Sequence, residues 1–315
     1  MAHFTTITDF SLAEIQKILD LSNELQYHSQ KYTAEFVGKN ILFCFEKPSF
    51  RTLVGTEAAI NQLGGSVIHT TPKAFLGKVT DSDKAMGLGA REALKDTVRV
   101  AEKFCDAIFV RVFSHSTITA LSSISKIPIV NALCDDHHPC QAMADMLTMQ
   151  NHFGKTKRLK VAFVGDGNNV AFSLGQISLM LGHEFSWAGP EKYSFEPKEI
   201  ASLEMLARKY GGTLNLVKTA EEAVKNASAV HADTWVSMGE ESEYQQKASQ
   251  FEPFQVNTAL MAKASPEAIF MHCLPAHRGE EVTSEVMDGP QSVIYEQAKN
   301  RMVTSKGIFH YLLNA

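Results

Sequence analysis

Short apolar runs alternate with helix-patterned stretches along nearly the whole of this chain, and that alternation restricts the fold more than any other feature. The runs fall at residues 41–45, 66–69, 107–112, 127–130, 161–164, 185–187, 214–217, 229–232, 268–272 and 293–295. They are continuous and bounded by turn residues, the pattern of strands buried on both faces. Between them, helices are expected from about 52 to Gly64-Gly65, over 92–104 and 141–153, up to about 181, over 200–210 and up to about 313. Ahead of these, Ser11 with Glu14 forms a capping box for an amphipathic helix carrying Leu12, Ile15, Ile18, Leu19 and Leu25. Strands alternating with helices make right-handed βαβ units and a parallel sheet.

At 315 residues the chain has room for two domains. The pattern over 141–153 closes at Gly154, the basic segment Lys155-Thr156-Lys157-Arg158 follows, and the alternation then restarts. The expected fold class is α/β, with two doubly wound parallel-sheet domains joined near residue 150. Hydrophobic residues at 44% and charged residues at 21% give a chain of this length a sizeable core without staples. A formal charge of −5 excludes a chain-wide grip on nucleic acid. Five cysteines, Cys44, Cys105, Cys134, Cys140 and Cys273, show neither C-x-x-C pairing nor zinc-ligand spacing, so free thiols and no metal are expected. The N-terminal MAHFTTITDF lacks a signal-peptide pattern, and no apolar run approaches the ~20 residues that span a bilayer. A cytoplasmic protein without membrane contact is expected.

Ligands of doubly wound sheets bind beyond the carboxyl ends of strands. After the first run, Glu46-Lys47-Pro48-Ser49-Phe50-Arg51-Thr52 leads into a helix, whose free N–H groups suit a phosphate, aided by hydroxyls and a forked cation. The bland alternative is a helix cap with a surface arginine. Arg111 interrupts an apolar run, where a charge is costly unless paired, so it is a structural ion pair or a second hold on an anion. His137-His138-Pro139-Cys140-Gln141 enters another helix and offers an imidazole and an amide to a carbonyl and its nitrogen. Gly165-Asp166-Gly167-Asn168-Asn169 nearly matches the dinucleotide fingerprint, with Val170 where the third glycine belongs. The asparagine amides favour a polar small-ligand site over NAD. Asp233, opening a segment that runs through Ser237-Met238-Gly239, suits an ammonium group, and Cys273 suits a reacting amine. Read singly, the first is also a turn cap and the second a small core residue.

In this order and spacing, these segments resemble the ornithine carbamoyltransferase family. The resemblance covers nearly the whole chain. It rests on His138-Pro139-Cys140-Gln141, Gly165 through Asn169, Asp233 through Gly239, and His272-Cys273-Leu274-Pro275 through Val282. The Ser-Met-Gly segment points to ornithine, since aspartate transcarbamylases carry arginine and glutamine there. The resemblance implies a carbamoyl-phosphate-binding domain over 1–150 with a helix over 297–315 returning to it, and an amino-acid-binding domain over 151–296. It implies transfer of the carbamoyl group of carbamoyl phosphate to the side-chain amine of ornithine, giving citrulline and phosphate for arginine synthesis. No cofactor is implied, and the protein would assemble as a homotrimer or a multiple of trimers. Ser49, Arg51 and Thr52, with the backbone of Phe50, would bind phosphate together with Arg111 and Arg301. His138 and Gln141 would hold the carbamoyl group, with the backbone of Cys273 and Leu274 close by. Asn169, Asp233, Ser237 and Met238 would hold ornithine. Arg111, His138, Asp233 and Cys273 would carry the chemistry.

The donor half departs from the family pattern. The phosphate loop Ser-Thr-Arg-Thr-Arg of the family reads Ser49-Phe50-Arg51-Thr52-Leu53 here, and Gly87 stands where a glutamine is usual. Lys78 or Lys84, in a segment over 72–86 that is longer than usual in the family, is expected to replace part of the lost contacts, reaching in from a neighbouring subunit. A catalytically weak paralogue with a binding or regulatory role is the alternative reading.

Overall fold

The described strands form two parallel sheets, one of four strands and one of five. The computed structural model describes residues 2–77, 92–236 and 244–314, and among these the backbone separates into one unit of residues 1–140 with 301–315 and another of residues 141–300.

In the first unit, helix α1 (Leu12–Tyr27) starts at the expected capping box, with Ile15, Ile18, Leu19 and Leu25 buried. Strand β1 (Asn40–Phe45) leads to α2 (Phe50–Gln62), β2 (Ser66–Thr70), α3 (Pro72–Leu76), α4 (Leu94–Ala101), β3 (Ala107–Arg111), α5 (His115–Ile124) and β4 (Ile129–Leu133). The strands lie in the order β2-β1-β3-β4, all parallel. Alternate side chains of β1 explain its unbroken apolar run. Leu42 and Cys44 join one core with Val98, Ile108, Ile118 and Leu121. Phe43 and Phe45, on the other face, pack on the ring of Phe109.

The strand expected at 127–130 begins later, at Ile129. Ser125 is the cause: its hydroxyl donates to the carbonyl of Ile127 and accepts that residue's N–H, and Pro128 has no N–H to give a ladder.

Helix α6 (Pro139–Phe153) carries the chain on to the second unit. There β5 (Lys160–Val164), α7 (Asn169–Met180), β6 (Glu184–Ala188), α8 (Pro197–Tyr210), β7 (Thr213–Val217), α9 (Ala220–Val224) and β8 (Ala229–Ala232) are followed by α10 (Tyr244–Phe251), α11 (Thr258–Met261), β9 (Ile269–His272) and α12 (Ser284–Met287). The parallel strand order is β7-β6-β5-β8-β9. Every residue of α7 from Val170 to Met180 is buried. Gly175 permits this, because a Cβ there would lie 2.9 Å from the ring of Phe185.

The apolar residues 293–295 form no strand. Ser292 makes one parallel bridge to Phe270, and the chain then turns into α13 (Ile294–Leu313). Ile294 is apolar because it packs in the core with Val256 and Phe270, not because it extends the sheet. From Arg301 onward this helix belongs to the first unit, as expected of a returning C-terminal helix. Phe309 packs on Phe109, and the Tyr311 hydroxyl donates to Glu14 at 2.8 Å. No helix among the described residues is long and apolar enough to cross a membrane.

Candidate active site

Each sheet has one topological switch point, where successive crossovers leave in opposite directions and open a crevice at the strand ends. In the first sheet it lies between β1 and β3. The two strand ends are stitched together there: Glu46 N–H donates to the Arg111 carbonyl, and Phe113 N–H donates to the Glu46 carboxylate at 3.0 Å. Ser49 caps α2 by accepting from Thr52 N–H. The Thr52 hydroxyl, buried, accepts from Arg301 at 2.7 Å and from the Ser49 hydroxyl at 3.0 Å. Arg111 and Arg301 are both buried.

His138, at the entry to α6, is almost fully buried, and its environment reports what surrounds it. Burial holds its pKa well below the ordinary histidine value, and the guanidiniums of Arg301, Arg111 and Arg51 push it the same way. The imidazole is therefore neutral near pH 7, an N–H donor ringed by three cations and a helix N-terminus. Lys47 does not add to that field. It is 2.6 Å from Asp135 and lies over the Phe113 ring. Gln141, three residues on, donates its amide N–H to Asp145 at 2.7 Å, which leaves its buried Oε1 atom, without a hydrogen bond, as the group it can present to an N–H donor.

The substituted loop residues keep clear of the cradle. The Phe50 ring is 77% exposed, so its bulk does not cover the N–H groups at the start of α2. It lines, with Leu53, Phe45, Pro48 and His69, a cleft of about 370 Å³.

In the second sheet the switch point lies between β5 and β8. Asn168, in the turn after β5, caps α7: its side-chain oxygen accepts from Val170 and Ala171 N–H. Those are the groups a dinucleotide phosphate would need, so the near-match to the fingerprint does not build a dinucleotide site. The same Asn168 side chain donates to Asp233 at 2.9 Å, after β8. Asp233 also accepts from Thr234 N–H and from the Cys273 thiol at 2.9 Å. Beyond Cys273, Leu274 adopts φ +60° and donates its N–H to His272 Nδ1. A buried lattice backs this turn, in which Gln297 accepts from His272 N–H at 2.8 Å and donates to Asp145 at 2.7 Å.

The structure thus gathers Ser49, Arg51, Thr52, Arg111, His138 and Arg301 in the first unit, and Asp233, Cys273 and Leu274 in the second. Asn169 is the first residue of α7. Ser237, Met238, Gly87, Lys78 and Lys84 lie outside the described residues. Sequence reasoning counted the Asn168 amide toward a polar small-ligand site but gave it no capping role, although its position before an apolar helix is a cap signal. It also passed over Asp145 and Gln297, which meet across 152 residues, and Glu281, whose partners His272 and His277 lie nine and four residues away in a loop with no local pattern.

The carbamoyl-phosphate-binding domain model of the aspartate/ornithine carbamoyltransferases matches residues 2–151, and their Asp/Orn-binding domain model matches residues 157–312. The chain belongs to this family. It is 39% identical to the ornithine carbamoyltransferase of Acinetobacter baylyi over 316 residues, covering 100% of this chain and 97% of that one. The ornithine carbamoyltransferase structure from Pyrococcus furiosus superposes with a TM-score of 0.90 at 37% identity, covering 99% and 97% of the two chains. The anabolic enzyme of Campylobacter jejuni gives 0.89 at 34%, over 100% and 99%. Like them, the chain is a carbamoyltransferase, and its two doubly wound sheets are the family fold.

Proposed function

We propose that this carbamoyltransferase carbamoylates the δ-amine of ornithine, releasing citrulline and phosphate. The observation that carries the donor half is the convergence of Arg51, Arg111 and Arg301 on the buried, neutral His138. That field suits a dianionic phosphate with a neutral carbonyl beside it. The first unit would take carbamoyl phosphate, with Ser49, Arg51, Thr52, Arg301 and the Phe50 backbone on the phosphate. Arg111, Thr52 and His138 would stabilise the oxyanion as the amine attacks. Gln141 would accept from the carbamoyl NH₂ through Oε1, joined by the carbonyls of Cys273 and Leu274.

The acceptor assignment rests on Asp233, fixed by three donors, and on the full-length similarity to ornithine carbamoyltransferases. Asp233 and Cys273 would orient the amino acid, with Asn169, Ser237 and Met238 completing its site. The attacking amine must be neutral, which is costly for a group titrating near ~10.4 in water. Phosphate leaves against Arg51 and Arg301, and no covalent enzyme intermediate is required. The product serves arginine synthesis, in keeping with the anabolic relative. Assembly as a homotrimer in the cytoplasm belongs to the same reading. No observation on the described residues favours the weak-paralogue alternative.

The test compares kcat/KM for ornithine, aspartate and putrescine at fixed carbamoyl phosphate. Ornithine is expected to lead; a preference for putrescine, which has no carboxylate, or for aspartate overturns the assignment.

A further inference from the structure

We propose that Glu281 is a positioning residue for carbamoyl transfer, acting through His272 on the Cys273–Leu274 turn. This rests on the reading that the carbonyls of that turn receive the carbamoyl nitrogen.

The hydrogen bonds fix the protons. Leu274 N–H can only donate, and it points at His272 Nδ1 at 2.9 Å, so Nδ1 is the unprotonated acceptor. The ring proton of neutral His272 therefore sits on Nε2, which faces Glu281 Oε1 at 3.1 Å. Glu281 Oε1 also accepts from His277 N–H at 2.6 Å. Both side chains of the pair are fully buried. The remaining oxygen, Oε2, is buried without a hydrogen bond, and the side chain of His277 approaches it at 3.9 Å. A carboxylate in such a place is stable only while N–H donors hold it, so it clamps both ends of the 272–277 loop at once.

What the clamp holds is a backbone that does not hold itself. Leu274 is at φ +60°, a region leucine avoids, and it directly follows the Cys273 thiol on Asp233. If the imidazole turned over, Nδ1 would no longer face Leu274 N–H, and the turn would lose the bond that keeps its carbonyls aimed. Glu281 prevents this by engaging Nε2–H. The pairing resembles in logic the carboxylate–imidazole arrangements that fix a histidine tautomer, with a backbone amide in place of a metal or nucleophile. Glu281 touches no substrate in this scheme.

The experiment uses the full chain and three variants, Glu281→Gln, Glu281→Leu and His272→Asn. Glu281→Gln keeps an oxygen for Nε2–H and is expected to keep kcat within about threefold. Glu281→Leu leaves Nε2–H without an acceptor, and kcat should fall about 10- to 100-fold, the usual cost of a misaimed group. Inhibition by phosphate should move by less than about threefold, since the donor cradle is not touched. A role in folding alone would scale the amount of active protein and leave kcat per folded molecule unchanged. His272→Asn retains an acceptor for Leu274 N–H without reaching Glu281, and should fall between the two.

The second arm needs no turnover. Nitrogen-15 NMR of the His272 ring should show the Nε2–H tautomer in wild type and Glu281→Gln, and loss of that single state in Glu281→Leu. An Nδ1–H tautomer in wild type, or wild-type kcat in folded Glu281→Leu, overturns the proposal. Absence of citrulline formation by wild type with the expected tautomer in place would instead overturn the functional reading on which it rests.

Discussion

Arg111 occupies a place where a cation has to be compensated. It is the last residue of a strand buried along its whole length, and its field reaches the imidazole of His138. If its guanidinium stabilises a developing oxyanion, Arg111→Ala should lower kcat by a factor of about 10²–10³, or ~2.7–4 kcal/mol, with the fold intact by circular dichroism. Activity above about a tenth of wild type, a difference under ~1.4 kcal/mol, is incompatible with that role. Cys140 illustrates the opposite fate of a reactive residue type. Burial pushes its thiol up to about 12, and it donates to the Asn131 carbonyl, so it is a packed side chain and not a nucleophile. Leu274 is the residue at which the backbone itself is costly, on the order of 1–2 kcal/mol for a left-handed non-glycine residue.

At the level of elements, the start of α7 does two jobs with one side chain. Asn168 caps the helix through Oδ1 and holds Asp233 through Nδ2. The jobs separate by substitution. Asn168→Ser keeps a capping oxygen and should retain stability within about 0.5 kcal/mol, but should raise KM for ornithine, because Asp233 loses a donor. Asn168→Ala should show the same KM effect and in addition lose about 1 kcal/mol by urea unfolding. The turn between α7 and β6 carries a second readable device. His183 is buried, and its Nδ1 accepts from Leu159 N–H. Burial, aided by Arg158, lowers its pKa to about 4 from 6.5. The unfolded chain binds this proton first, so the contribution is present in full above pH 6.5 and is lost as pH falls from 6.5 to 4. Across that window the linkage amounts to about 3 kcal/mol. His183→Asn should flatten the pH dependence of the unfolding free energy between pH 6.5 and 4 relative to wild type; parallel curves would show that His183 does not supply it.

For the molecule as a whole, a cradle that holds phosphate on Ser49, Arg51 and Thr52 would make stability depend on anions. A ligand that binds only the folded chain adds about 2.7 kcal/mol at a hundredfold excess over Kd. Inorganic phosphate should therefore raise the melting temperature of wild type and have little effect on Arg51→Ala, measured calorimetrically. The same titration addresses the substitutions at Phe50, Leu53 and Gly87. One hydrogen bond to a charged ligand is worth ~1.5–3 kcal/mol, so an uncompensated loss should weaken carbamoyl phosphate about ten- to a hundredfold. If Lys78 or Lys84 replaces it, Lys78→Ala or Lys84→Ala should raise the Kd for carbamoyl phosphate; unchanged affinity in both removes the compensation.

The sequence by itself determined the fold class, the order of the elements and most of the strand-end residues that face the switch points. It could do so because burial on both faces leaves the interior of a parallel strand apolar, as at residues 41–44 of β1 and 107–110 of β3, and because ligands of such sheets gather at strand ends. It erred where one apolar residue served a different element. Ile294 reads as strand yet starts a helix, and the true onset of β4 waited on a hydroxyl of Ser125 that competes with the ladder. Tertiary structure decided what no local pattern contains. Strand order brought Asn168 to Asp233 across 65 residues, and the return of α13 to the first unit brought Arg301 to Thr52 across 249. Tertiary packing buried one imidazole beside three like charges, and burial first, then those charges, hold His138 neutral. It also joined His272 to Glu281, whose roles follow from which atom of each faces a fixed N–H. A sequence lists the donors and acceptors; only the packed chain assigns each proton, because burial removes the water that would otherwise satisfy either choice.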